Sequence, residues 1–177
     1  LEQAESALNQ LDRQVGDGDT GTTLGRAARA VALAMDTLPL AQGPQLLQAI
    51  AAILARVMGG SSGVLLSIFL NAASTGLAAG QSWPRAWQTG LQRMQEYGGA
   101  FAGDRTMIDA LDPALLALTE EGLAAAARAA RAGAASTADM NSARAGRSAS
   151  VPTENLQGVV DPGAEAVALV FEALAAL

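Results

Sequence analysis

Residues 11–23 carry the side chains of this chain that are best suited to chemistry. Asp12, Asp17 and Asp19 lie close together among glycines, and Arg13 is the only basic residue between them. Neighbouring carboxylates repel one another unless a cation lies between them, and hard oxygen ligands suit Mg²⁺ that carries phosphates. Glycines allow the backbone to approach a polyphosphate. The segment therefore indicates a magnesium–phosphate site or, in the simpler interpretation, a solvated acidic turn between two helices.

Two glycine-rich junctions could complement this segment. Residues 59–63 read Gly-Gly-Ser-Ser-Gly and lead into an apolar segment, so free N–H groups and serine hydroxyls at a helix start could bind an anion. The alternative is a tight turn between helices. Residues 97–107 also place glycines before a helix start. Taken alone, Asp104 is typical of a helix N-cap and Arg105 of a surface residue.

The polar stretch near the C-terminus offers a third candidate. Arg147 could contact a phosphate, although an arginine in a polar loop is usually solvated. Neither the lysine-ended phosphate loop of P-loop proteins nor the glycine loop of protein kinases is present, and the acidic segment lacks the spacing of an EF-hand.

Composition excludes several classes of chemistry. The chain has no histidine and no cysteine, so it contributes no histidine base, catalytic triad, thiolate or disulfide. A formal net charge of -6 argues against nucleic-acid binding. No uninterrupted apolar run long enough for a transmembrane segment and no signal-peptide pattern is recognisable. We therefore expect a soluble cytoplasmic protein.

The elements that must position these loops are helical throughout, because apolar residues recur at helical spacing and β-alternation is not sustained. Thr22 or Thr23 is the expected cap of the second helix, and Pro113 is expected to bend or split the sixth. Asp161-Pro162 has the N-cap and first-turn pattern of a final helix. The predicted helices cover residues 1–12, 22–38, 44–59, 64–77, 84–97, the segment from 104, 122–138 and the segment from 161.

Five motifs occur in an order that closely resembles the nucleotide-binding (L) domain of dihydroxyacetone kinases. They are Leu-Asp-x4-Asp-Gly-Asp-Thr-Gly-Thr-Thr, Met-Gly-Gly-Ser-Ser-Gly-Val-Leu, Tyr-Gly-Gly-x4-Gly-Asp-Arg-Thr-Met-Ile-Asp-Ala-Leu, Ala-Gly-Arg and Asp-Pro-Gly-Ala. The resemblance covers residues 1–177 as a single domain and is greatest to the C-terminal domain of the single-chain, ATP-dependent enzymes. It implies an all-α fold, a closed antiparallel barrel of about eight amphipathic helices whose first helix is truncated.

The resemblance also implies the site, position by position. Asp12, Asp17 and Asp19 would bind two Mg²⁺ ions that bridge the phosphates of ATP. The phosphate side would comprise Gly18, Asp19, Thr20, Gly21, Thr22, Ser61, Ser62 and Gly63, with Arg147 as a further phosphate contact. The nucleoside side would comprise Gly98, Thr106, Met107, Asp161, Pro162 and Gly163. No catalytic side chain is assigned to this chain.

In the family this resemblance points to, a histidine of a separate K domain holds dihydroxyacetone covalently. The chain would therefore be the ATP half of a dihydroxyacetone kinase, inactive alone, and part of a homodimer in the full enzyme. Alternatives are the nucleotide domain of a related kinase for trioses, four-carbon ketoses or fatty acids, and a non-catalytic module that retains ADP and binds a regulator. A purely structural alanine-rich bundle is the simplest alternative.

Three departures from the family pattern stand out. The L domain normally begins earlier than Leu1. Thr20 occupies a position where the phosphotransferase-linked subunits carry histidine, which favours the ATP-dependent branch. Gly-Arg-Ser-Ala-Ser-Val replaces the commoner Gly-Arg-Ala-Ser-Tyr around Arg147, so the contacts of that loop are not implied by the resemblance.

Overall fold

The computed structural model describes all 177 residues and contains α-helices and short 3-10 turns without any strand. The prediction of an all-α fold is therefore confirmed. The helices are α1 Glu5–Val15, α2 Thr20–Ala34, α3 Gly43–Val57, α4 Gly60–Ala78, α5 Trp83–Gly98, α6 Ile108–Glu120, α7 Leu123–Ser136, α8 Thr153–Leu156 and α9 Pro162–Ala175.

Three local expectations about helix ends need correction. α2 begins at Thr20, so neither Thr22 nor Thr23 caps it. α6 begins at Ile108 rather than just after Asp104, whose carboxylate accepts instead from Phe101 N. α6 runs unbroken through Pro113, so that residue does not split it. The start of α2 differs from the expectation because the carboxylate of Asp12, on the preceding helix, accepts from Asp19 N and Thr20 N.

The N-terminus of α9 is as the sequence predicts. Asp161 precedes the helix, and its Oδ1 accepts a hydrogen bond from Ala164 N at 2.9 Å. Pro162 occupies the first turn, where no backbone donor is needed. This cap fixes the path of the chain as it enters α9.

The chain divides into two compact units. Apart from the first two residues, one unit consists of Gln3–Thr22 and Gly99–Leu177, and the other of Thr23–Gly98. The acidic segment, Arg147 and Asp161 belong to the first unit. Residues 59–63 and Gly98 belong to the second.

In the first unit, helices α6, α7 and α9 pack through small residues. Alanines with no exposed surface line these helices, so the axes approach closely without aromatic side chains: Ala110, Ala114, Ala126, Ala130, Ala134, Ala164 and Ala168. Gly133 of α7 lies directly against the backbone oxygen of Asp109, and a Cβ at this position would overlap that oxygen. The closest approach of α7 to α6 therefore requires glycine.

In the second unit, α4 packs against α3 and α5. The core includes Leu47, Ala73 and Ala86. Trp87 stacks on Phe69 with ring centroids 5.6 Å apart, and Trp83 lies 5.4 Å from Trp87. The two tryptophans share one face of α5, as their spacing predicts.

Helix α4 also bears on the expectation that no transmembrane segment exists. By length and composition alone, Gly60–Ala78 would be long and apolar enough to span a membrane. The core helix of a soluble protein meets the same criterion, and one such helix is weak evidence. The absence of a membrane span therefore stays a prediction.

Candidate functional site

Three carboxylates converge where α1 ends and α2 begins. Suitable ligand atoms of Asp12, Asp17 and Asp19 all lie within 4.8 Å of one another. Asp12 is buried, whereas Asp17 and Asp19 are exposed. Such a spacing suits a divalent cation that is held from one side and keeps other coordination positions open. The structure therefore brings together the three side chains that the sequence groups, while their binding of metal stays a prediction.

Asp12 also organises the backbone of the segment. Its Oδ2 accepts hydrogen bonds from Asp19 N at 2.8 Å and Thr20 N at 3.0 Å. These are N–H groups at the start of α2 that have no partner within the helix. Asp12 therefore caps α2 from α1, and its Oδ1 stays available to a ligand.

Partial loss of hydration and like charges act on the exposed carboxylate of Asp19. Loss of hydration and the carboxylates of Asp17 and Asp12 raise the pKa of Asp19, while Arg147 opposes them. Desolvation is the largest cause of this rise, and repulsion by the neighbouring carboxylates adds electrostatic strain to the ionised cluster. A bound cation would relieve that strain, which is the physical reason to regard the cluster as a metal site.

Arg147 supplies part of the missing positive charge. Its Nη1 forms an ion pair with Asp17 Oδ2. The following residue, Ser148, is buried and donates from its hydroxyl to Val15 O at 3.2 Å. The altered loop around Arg147 is thus attached to the end of α1. Its guanidinium lies beside the acidic cluster, where it could also contact a phosphate.

The start of α2 lies against α1. Gly21 is buried, and a Cβ there would overlap the backbone oxygen of Glu5. Thr22 donates from Oγ1 to Glu5 Oε1 at 3.1 Å and accepts from Asn9 Nδ2 at 2.9 Å. The hydroxyl of Thr22 is therefore engaged with α1. Gly18 and Thr20 are half-buried, and Asp19 is the exposed residue of this turn.

Carboxylates shape the loop of residues 99–107. Asp109, buried in the first turn of α6, accepts from Gly103 N at 2.5 Å through Oδ1 and from Thr106 N at 2.7 Å through Oδ2. Asp104 accepts from Phe101 N at 2.7 Å. Asp109 thus fixes the loop from within α6, whereas no side chain, including that of Asp104, caps the N-terminus of α6.

The predicted nucleoside-side residues of the first unit lie together. A Cβ on Gly163 would come within 3.3 Å of Met107 Cβ, so the start of α9 contacts the loop that precedes α6. Asp161 is buried, and its pKa is raised to about 6, chiefly by burial. Arg105 and the hydrogen bonds from Ala164 and Gly163 partly offset that rise.

The remaining predicted residues belong to the second unit. Ser61 and Ser62 stand in the first turn of α4, whose N-terminus has no side-chain cap. Unpaired N–H groups at a helix start form an anion-binding geometry. Gly63 packs against Met58, and a Cβ added at Gly63 would lie only 2.7 Å from Met58 Cβ. Gly98, at the end of α5, lies against the side chain of Leu65.

Arg105 is a residue that sequence reasoning misplaced. It is fully buried rather than exposed, and it is the one non-glycine residue with positive φ. The role of Asp109 in fixing the loop is not predicted either, because Asp104 follows the glycines directly and is the more typical helix cap by local pattern. The signal for Asp109 was available: an acidic residue three positions after Thr106 can reach back to a loop amide.

The comparisons with known proteins extend over nearly the whole chain. It is 50% identical over 179 aligned residues to the dihydroxyacetone kinase of Citrobacter freundii, covering 99% of this chain and 32% of that protein. It is 42% identical to the human triokinase/FMN cyclase, covering 96% of this chain and 32% of that protein. The chain thus spans about a third of the length of these curated relatives.

Solved structures show the same similarity. The native crystal structure of the C. freundii dihydroxyacetone kinase matches with a TM-score of 0.86 and 47% identity, over 99% of this chain and 32% of that chain. A second structure, of that kinase in complex with AMP-PNP and Mg²⁺, matches with a TM-score of 0.84 and 46% identity, over 99% of this chain and 31% of that chain. The DAK2 domain family model matches residues 14–176. The chain belongs to the DAK2 domain family.

Proposed function

We propose that residues 1–177 form a single L-type domain that binds ATP and Mg²⁺ for a dihydroxyacetone kinase, corresponding to the C-terminal domain of the single-chain enzymes. One observation carries the proposal: three carboxylates converge within 4.8 Å at a helix start, in a chain of this family. The related kinase that was solved with AMP-PNP and Mg²⁺ supports it.

The residues fit the metal. Asp12, Asp17 and Asp19 offer hard oxygen atoms, and only Arg147 pairs directly with one of them. When bound there, Mg²⁺ would neutralise phosphate oxygens and orient them for in-line transfer. Asp12 keeps one oxygen fixed by backbone donors, which holds its carboxylate in place for the ion.

The protein groups around the metal have separate tasks. The uncapped first turn of α4, at Ser61–Gly63, and the turn of Gly18–Thr22 would donate backbone N–H groups to the phosphates. Arg147 would exchange its contact with Asp17 for one with a phosphate. Gly98, Thr106, Met107 and Asp161–Gly163 would contact the nucleoside. Phosphoryl transfer needs positioning and charge neutralisation more than a covalent residue, so the lack of histidine is compatible with this role.

The acceptor would be bound elsewhere. The chain spans about a third of its relatives, and it has no histidine with which to hold a ketose covalently. We propose that a separate or fused K domain supplies that function, that the full enzyme is a cytoplasmic homodimer, and that this chain alone does not phosphorylate dihydroxyacetone. Dihydroxyacetone is the first acceptor to test, because the 50% identical relative is a dihydroxyacetone kinase.

Calorimetry of the purified chain tests nucleotide binding. ATP should bind in the presence of Mg²⁺ and weakly in EDTA, and Asp17→Asn should reduce the affinity for Mg-ATP while the protein stays folded. Asp36→Asn changes the net charge equally at an exposed position that is not part of the cluster, so it should bind normally. Equal affinity with and without Mg²⁺ would contradict the metal assignment.

A reconstitution assay tests the kinase role. Product formation from ATP and dihydroxyacetone should require both this chain and a matching K domain, and Asp12→Ala, Asp17→Ala or Asp19→Ala should abolish it. Turnover by the isolated chain would refute its role as half of an enzyme. Tightly retained ADP that does not exchange, with no turnover after the K domain is added, would identify a non-catalytic nucleotide-holding module instead.

A further inference from the structure

Arg105 combines two unfavourable features at one position. Its side chain is fully buried, and its backbone is left-handed with φ of 60°. A buried guanidinium loses its hydration, and a left-handed backbone is strained for a residue with a side chain. Burial accordingly lowers the pKa of Arg105, and the nearby Asp161 only partly opposes the effect. Such costs persist only where the surrounding structure imposes them.

The contacts of Arg105 reach across the first unit. Nη2 donates to Val159 O at 2.6 Å and to Leu156 O at 3.4 Å, both more than fifty positions away. Nε and Nη1 are buried without a hydrogen-bond partner in the protein. The guanidinium therefore binds the segment that leads from α8 into α9 and retains two unused donors beside it.

The position of these contacts relates them to the proposed nucleoside side. Arg105 directly precedes Thr106 and Met107, while Val159 lies two residues before Asp161. Gly163 in turn lies against Met107. The two segments that would contact the nucleoside thus meet twice: once between Gly163 and Met107, and once through the hydrogen bonds of the buried Arg105.

We propose that Arg105 is a positioning residue of the nucleotide site, which ties the loop of residues 99–107 to the segment of residues 156–163 before nucleotide binds. The inference rests on the proposed function. It assigns Arg105 no contact with the ligand, because the side chain is inaccessible. Because Arg105 orders these two segments in the free protein, less conformational entropy is lost when the nucleotide binds.

This role predicts a selective defect. The acidic cluster binds the phosphates through Mg²⁺, and none of the hydrogen bonds of Arg105 involves Asp12, Asp17 or Asp19. Arg105→Met should therefore weaken binding of Mg-ATP by about tenfold, the effect of losing one charged hydrogen bond. Binding of Mg-tripolyphosphate, which has no nucleoside, should be unchanged. A general loss of structure would weaken both ligands together.

The experiment is calorimetry of the 177-residue chain with Mg-ATP and with Mg-tripolyphosphate. Arg105→Lys retains the charge but places its N–H donors on a single nitrogen, so its affinity for Mg-ATP should lie between those of the unmodified protein and Arg105→Met. The matched control is Arg128→Met, since Arg128 is exposed on α7 in the same unit. It should bind both ligands normally.

The outcomes separate the two proposals. If the unmodified chain does not bind Mg-ATP, the proposed function fails. If it binds and Arg105→Met binds equally well, or loses both ligands equally while folded, the role of Arg105 is refuted. Should Arg105→Met not fold, hydrogen exchange on the unmodified chain without nucleotide decides: the amides of residues 99–107 and 156–163 should already be protected to a similar degree. Protection of only one segment overturns the inference.

Discussion

Asp19→Asn should stabilise the metal-free protein. The carboxylates of Asp12, Asp17 and Asp19 lie within 4.8 Å of one another, and at that separation two unit charges in a water-like medium repel by about 1 kcal/mol. The substitution removes two such repulsions, together with the opposing attraction to Arg147. The free energy of unfolding should therefore rise by about 1 kcal/mol at neutral pH and low salt.

The pH dependence of this gain has a definite sign. The pKa of Asp19 is raised in the folded protein, so its contribution to stability is fully present below the unfolded-state pKa of about 3.9. That contribution is lost as the pH rises through the higher folded-state value. The variant and the unmodified protein should therefore be equally stable in acid and differ at neutral pH.

Urea denaturation followed by circular dichroism measures both effects. In EDTA the variant should have the higher midpoint. In millimolar Mg²⁺ the unmodified protein should gain stability through ligand binding, whereas the variant should gain little. Asp36→Asn, which alters the net charge equally at an exposed site, should respond to Mg²⁺ like the unmodified protein. A variant that is less stable in EDTA, or that Mg²⁺ stabilises fully, would refute the electrostatic account of the cluster.

Three other perturbations test separate parts of the structure. Burial raises the pKa of Asp161 to about 6, so the unmodified protein should lose roughly 2 kcal/mol of stability relative to Asp161→Asn between pH 4 and pH 7, as denaturation at several pH values would show. Arg131 forms ion pairs with two glutamates of α9 and is partly exposed. Arg131→Met should therefore lower the free energy of unfolding by roughly 1 kcal/mol at low salt, whereas the control Arg128→Met should be nearly neutral. Gly133→Ala would overlap the backbone of Asp109 and should cost about 1–3 kcal/mol in urea denaturation; a gain in stability, as helix propensity alone predicts, would contradict the close packing.

Local patterns were sufficient to predict the class of the fold and most of its helices. Helical spacing of apolar residues places helices correctly, and Asp161-Pro162 marks the start of α9 because a cap and its helix are neighbours in sequence. The grouping of Asp12, Asp17 and Asp19 follows from a short segment for the same reason.

The errors arise where distant residues decide the local structure. α2 starts at Thr20 because Asp12, on the preceding helix, accepts from its first N–H groups. Arginine is a residue type that usually lies at the surface. Arg105 is buried because the carbonyl oxygen of Val159, which is distant in sequence, accepts a hydrogen bond from its guanidinium. No pattern within a few residues contains that information.

The contact between Gly133 and the backbone of Asp109 has an evolutionary consequence. Through its side chain, Asp109 also holds the amides of Gly103 and Thr106, so one residue carries both the contact of α6 with α7 and the shape of the loop of residues 99–107. Its backbone cannot shift toward α7 to reshape that loop. Because Gly133 meets the backbone oxygen of Asp109 and not its side chain, position 133 should remain glycine among relatives even where residue 109 differs.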